Sequence, residues 1–200
     1  MHVTIVASPT AIPALHLMSS PAEGDAVLRL RWSSEAECGF SAQALAQALA
    51  PRLMLGGSCL IALHGTLGAG KTTFTRHLLR SLGVQGRIKS PSYAVVEPHD
   101  APGIVIWHFD FYRFADPREW EDAGFRDLFA SAGLKIVEWP EKAGNLMPQA
   151  DIELTLVTDE QDARVVTCRA GTPAGEEMVQ ALSRTLDPTM LLTPSAEPSP

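Results

Sequence analysis

The run His64-Gly65-Thr66-Leu67-Gly68-Ala69-Gly70-Lys71-Thr72-Thr73 places two glycines, a lysine and a threonine at the spacing Gly-x-x-x-x-Gly-Lys-[Ser/Thr]. Each residue type serves the holding of a polyphosphate. Glycines let the backbone curl until successive N–H groups converge on one concavity, Lys71 can reach the β and γ phosphates, and the Thr72 hydroxyl can ligate Mg²⁺. A helix opening at the same point adds its positive end. The chemistry implied is the binding of a nucleoside triphosphate, with Gly68, Ala69, Gly70, Lys71, Thr72 and Thr73 as the binding residues.

Such a site also needs carboxylates at the ends of neighbouring strands, to hold Mg²⁺ or orient a water. Asp110 follows the apolar run Ile104-Val105-Ile106-Trp107-His108-Phe109, and Glu138 follows Leu134-Lys135-Ile136-Val137. In a parallel sheet both would emerge at the edge that carries the phosphate loop. Ser90-Pro91-Ser92-Tyr93 brings three hydroxyls next to a proline that favours extended backbone, which suits a segment sensing the γ-phosphate or a plain turn. Arg113 could stabilise phosphate charge or pair with a carboxylate. His64 and His77 read as packing or surface residues, and His108 carries no assigned role.

The elements positioning these residues follow from periodicity and punctuation. Ser58-Cys59-Leu60-Ile61-Ala62-Leu63 is a buried strand leading into the loop, and Phe74, His77, Leu78 and Leu82 mark the helix after it, stopped by Gly83. Upstream, residues 26–32 alternate as a half-exposed strand. Ser34-Glu35-Ala36-Glu37 opens a helix through Ala50 that Pro51 ends. Downstream, residues 94–97 read as a strand, residues 99–103 as a turn, and residues 116–129 as two short helical pieces. Residues 151–157 and 164–169 form an antiparallel hairpin, and a helix runs from about Ala174 to Leu186. The fold class is α/β, a three-layer phosphate-loop NTPase fold with a mostly parallel central sheet extended by antiparallel strands and flanked by helices. Residues 25–187 make one domain. Residues 1–24, with a short strand at Val3-Thr4-Ile5-Val6, read as a disordered extension, and residues 188–200 as a disordered Pro- and Ser-rich tail.

Two hundred residues of 46% hydrophobic content support one substantial core. The net charge of −7 argues against coating nucleic acid by charge alone. Cys38, Cys59 and Cys168 are odd in number and without a Cys-x-x-Cys, so neither a disulfide framework nor a zinc site is suggested, and a reducing cytoplasm is the expected compartment. The first residues lack a basic start and contain Pro9 and Pro13, against a secretory signal, and no stretch approaches a membrane span.

Four blocks in order resemble the bacterial tRNA threonylcarbamoyladenosine biosynthesis ATPase family TsaE. They are residues 65–73, Lys89-Ser90-Pro91-Ser92-Tyr93, His108-Phe109-Asp110-Phe111-Tyr112-Arg113 and Val137-Glu138-Trp139-Pro140-Glu141. That family often has Thr where Ser92 stands and Leu where Phe111 stands. The resemblance implies an ATPase using ATP and Mg²⁺, acting in a complex with TsaD- and TsaB-type proteins that installs threonylcarbamoyl on adenosine 37 of tRNA, so that tRNA is met indirectly. It further implies that Thr72 and Glu138 position Mg²⁺, that Asp110 is required for hydrolysis, and that Glu35 lies near the nucleotide. Trp139 would lie near the nucleotide or the partner surface. The residues alone leave a small-molecule kinase as the alternative. A GTP switch is disfavoured because no Asn-Lys-x-Asp motif is present.

Overall fold

A computed structural model describes residues 26–192 of the chain. The expected strand over Val3-Thr4-Ile5-Val6, with the rest of the N-terminal extension, lies outside those residues, as do residues 193–200.

The strands are β1 (Val27–Trp32), β2 (Ser58–His64), β3 (Val96–Ala101), β4 (Ile104–Asp110), β5 (Gly133–Glu138), β6 (Ile152–Thr158) and β7 (Arg164–Ala170). They form one seven-stranded sheet in the order β1-β7-β6-β2-β5-β4-β3. The four central strands, β6, β2, β5 and β4, run parallel, and antiparallel pairing adds β7 and β1 at one end and β3 at the other. This is the expected architecture. Helices α1 (Glu35–Met54), α2 (Lys71–Ser81) and α5 (Pro173–Thr185) cover one face, while the short α3 (Glu119–Asp122) and α4 (Phe125–Ala130) cover the other.

Strand pleat sorts β2 between these two cores. Ile61 and Leu63 point to the α1/α2 side with Leu45, Leu78 and Ile136, whereas Leu60 and Ala62 point to Phe109, Phe129 and Val137. Both faces of β2 are buried, so it reads as a continuous apolar run rather than an alternating one. Phe109 anchors the second core, with ring centroids 4.9 Å from Phe129 and 5.2 Å from Phe125.

Three sequence expectations are corrected. Pro51 does not end α1, which continues to Met54. The hydrogen bond that proline forgoes lies at the exposed last turn, and the extra turn buries Leu53. Residues 99–101 belong to β3 rather than to a turn, because Ala101 pairs with Ile104 and leaves only Pro102 and Gly103 as the hairpin loop. Pro98 is accommodated because β3 is an edge strand. At the carboxyl end, Pro188–Met190, read as tail, form a 3-10 turn that buries Met190, and Leu191 bridges to Leu30 of β1. The capping residue at α1 is as expected: the Ser34 hydroxyl accepts from the Glu37 N–H at 3.3 Å.

Candidate functional site

The carboxyl ends of β2, β4 and β5 meet at one edge of the sheet, and the candidate site is assembled there. β2 delivers residues 65–70 into a loop in which Gly65, Gly68 and Gly70 all have positive φ. Gly70, at φ +107°, is the residue from which α2 starts, so the first turn of α2 aims its free N–H groups into the loop. Phe74, Leu78 and Leu79 fasten that helix to the core and so fix the loop's position.

Lys71 is 5% exposed. Its ammonium donates to the carbonyls of Gly65 and Thr66, the latter at 3.0 Å, and lies 3.8 Å over the Trp139 ring. Burial pushes its pKa below the ordinary lysine value, while Glu138, Glu141 and Asp110 pull in the opposite direction. The Thr72 hydroxyl donates to Glu138 Oε2 at 2.8 Å.

Parallel register places the two carboxylates side by side, because Asp110 of β4 pairs with Glu138 of β5. Both are nearly inaccessible, at 4% and 2% exposure. Asp110 accepts the Ser90 hydroxyl on Oδ2 and the Tyr112 backbone N–H on Oδ1 at 3.0 Å. Glu138 Oε1 receives Nε2 of His108 at 2.9 Å. The residue after it, Trp139, holds a left-handed backbone with φ +60°, a conformation costing about 1–3 kcal/mol in a side-chain-bearing residue. That turn brings the indole over Lys71 and within 5.0 Å of the Tyr112 ring.

Two clefts flank the phosphate loop. One, of about 380 Å³, is lined by the loop with Ser90, Ser92, Asp110, Arg113, Glu138 and Trp139. The other, of about 230 Å³, is lined by Ser34, Glu35, Cys38, residues 68–70 and Thr73. Residues 68–73, Asp110 and Glu138 border the first cleft and Glu35 the second, whereas Tyr93 of the Ser90–Tyr93 segment lines neither. Glu35 is also 3.0 Å from His77 Nε2 on α2. Arg113 lines the first cleft and stacks over Tyr93 at 4.4 Å rather than pairing with a carboxylate.

Sequence reasoning missed the contact of His108 with Glu138. The signal was present in the two-residue period of β4, which puts His108 on the same face as Asp110. The bond between Ser90 and Asp110 left no such trace, since it joins a loop to a strand end.

A glycine loop between a parallel strand and a helix, with carboxylates at the neighbouring strand ends, makes this a protein of the phosphate-loop fold. A family model described as "Threonylcarbamoyl adenosine biosynthesis protein TsaE" matches residues 33–166. The chain belongs to the TsaE family. It is 44% identical over 124 residues to the tRNA threonylcarbamoyladenosine biosynthesis protein TsaE of Haemophilus influenzae, covering 62% of this chain and 78% of that protein. The Bacillus subtilis protein of the same name is 31% identical over 125 residues, with the same coverage of each chain. The crystal structure of Bacillus subtilis YdiB superposes with a TM-score of 0.68 at 24% identity, over 82% of this chain and 98% of that one, a likeness of fold.

Proposed function

We propose that this chain is a Mg²⁺-dependent ATP hydrolase of the tRNA threonylcarbamoyladenosine machinery, whose hydrolysis supports turnover of a cytoplasmic complex with TsaB- and TsaD-type proteins. The observation that carries the ATPase reading is the Thr72 hydroxyl on Glu138 beside Lys71, with Asp110 in register on the next strand. Family membership and the names of the relatives support the pathway. The net charge of −7 supports meeting tRNA through partners rather than directly. No helix among the described residues is long and apolar enough to cross a membrane.

The donor set fits the ion. Mg²⁺ is held by one or two protein oxygens together with substrate phosphates and waters, and the hydroxyl of Thr72 and the carboxylate of Glu138 already converge on one point. When bound, Mg²⁺ would draw charge from the phosphate oxygens. Residues 68–73 would cradle the phosphates through backbone N–H groups, with Lys71 exchanging the Gly65 and Thr66 carbonyls for charged phosphate oxygens. Glu35 would meet the nucleotide from the second cleft.

Asp110 would orient the attacking water, its own carboxylate held still by Ser90 and Tyr112. Phosphate release from ATP, measured with the partner proteins and MgCl₂ present, tests this reading. Asp110→Asn and Glu138→Ala should each lower the rate by about 10²-fold or more, with ATP binding retained in Asp110→Asn. Rates at the wild-type level in both variants would overturn it.

A further inference from the structure

His108 has no exposed side-chain surface, yet it sits in a strand whose apolar neighbours could have been matched by another apolar residue. Its ring is held in one orientation by what surrounds it. Nε2 faces Glu138 Oε1 at 2.9 Å, and the His99 ring stands behind it with centroids 6.3 Å apart. Its other nitrogen, Nδ1, is buried without a partner. A buried polar atom without a protein partner costs about 1–3 kcal/mol, and the single polar contact this ring makes is with Glu138.

The register explains how that contact arises. His108 pairs with Ile136 across the β4–β5 ladder and Asp110 pairs with Glu138, so His108 and Glu138 are diagonal neighbours on one face. A carboxylate only accepts, so the imidazole N–H is the donor. Glu138 then has one oxygen committed to His108 and the other to the Thr72 hydroxyl. With both oxygens fixed, the carboxylate cannot rotate about its terminal bond without breaking one of the two.

We infer that His108 is a positioning residue: it holds Oε1 of Glu138 so that Oε2 stays aligned with the Thr72 hydroxyl, presetting the pair of oxygens offered to Mg²⁺. This rests on the reading of Thr72 and Glu138 as the Mg²⁺ donors proposed above. Partners of metal ligands commonly govern metal affinity in this way, and their loss costs about 10–100-fold. The ring has no exposed surface and does not line the cleft, so it acts only through Glu138.

The test is direct binding of a fluorescent ATP analogue to the full chain, titrated with MgCl₂ and repeated in EDTA, with thermal melting as a control for folding. His108→Leu keeps the volume and removes the donor. It should raise the Mg²⁺ concentration for half-maximal effect by about tenfold or more while leaving analogue affinity in EDTA unchanged. His108→Gln, which restores an N–H donor, should recover most of that loss. If His108→Leu is too unstable to purify, His108→Asn, whose shorter amide withdraws the donor from Glu138, takes its place with the same expected shift. An unchanged Mg²⁺ requirement, or equal weakening with and without Mg²⁺, would overturn the positioning role and leave a purely structural histidine. A wild-type protein indifferent to Mg²⁺ would instead overturn the metal reading itself, and the inference with it.

Discussion

Lys71 sits at the point where the site's electrostatics converge. Its ammonium is taken out of water, satisfied by two loop carbonyls and an indole face, and surrounded at longer range by Glu138, Glu141 and Asp110. A cation kept this way is ready to exchange neutral acceptors for an anionic one without the cost of desolvation at the moment of binding. Lys71→Ala should weaken ATP binding by at least about tenfold, the loss of one strong charge-assisted bond, as read by isothermal titration calorimetry. An unchanged affinity would remove Lys71 from the binding set. The nominated residues were legible because their signals are local: Lys71 and Thr72 follow a glycine spacing, and Asp110 and Glu138 each end an apolar run. What joins them was not legible. Thr72 meets Glu138 across 66 positions and His108 meets Glu138 across 30, and only the strand register brings either pair together.

At the scale of elements, the junction of β2 with the phosphate loop depends on Gly65. Its φ is +137°, and a Cβ there would stand 2.5 Å from the Leu156 carbonyl oxygen of the adjacent β6. Gly65→Ala should therefore push the loop away from β6. The expected results are a loss of about 1–3 kcal/mol of stability in urea denaturation and weakened binding of ATP. Wild-type stability and affinity would show that the close approach to β6 is dispensable. The strands β2, β4 and β5 and the hairpin of β6 and β7 were readable because burial and alternation leave different sequence patterns. Pro51 and residues 99–101 misled because local breaker chemistry yielded to tertiary pairing: burial of Leu53 carries α1 past its proline, and the pairing of Ala101 with Ile104 extends β3 through a stretch that reads as a turn.

Over the whole molecule, two cores on opposite faces of one sheet hold the site edge in place, and all three cysteines lie buried within the structure. Burial raises the Cys168 thiol from its ordinary 9.0 to about 12. Between those values the unfolded chain releases a proton that the folded chain keeps, so this thiol lowers stability as pH rises, by up to about 1.4 kcal/mol per pH unit. Cys168→Ala removes that slope. The stability gap between wild type and variant should therefore narrow from about pH 9 to about pH 10.5 in urea titrations, and a gap constant with pH would contradict the assignment. The layered α/β class was legible from the order of elements, since alternating strands and helices around a glycine loop leave few alternatives. The packing of Met190 and Leu191 against β1 was not, because a Pro- and Ser-rich composition says nothing of two apolar residues finding a core edge. Hydrolysis of ATP in the service of a larger tRNA-modifying assembly should be visible in the rate of phosphate release from ATP and Mg²⁺, measured for the purified chain alone and with TsaB- and TsaD-type proteins added. Slow release alone and a clear rise with both partners are the expected result. A fast rate indifferent to them, or transfer of the phosphoryl group to a metabolite instead of water, would contradict it.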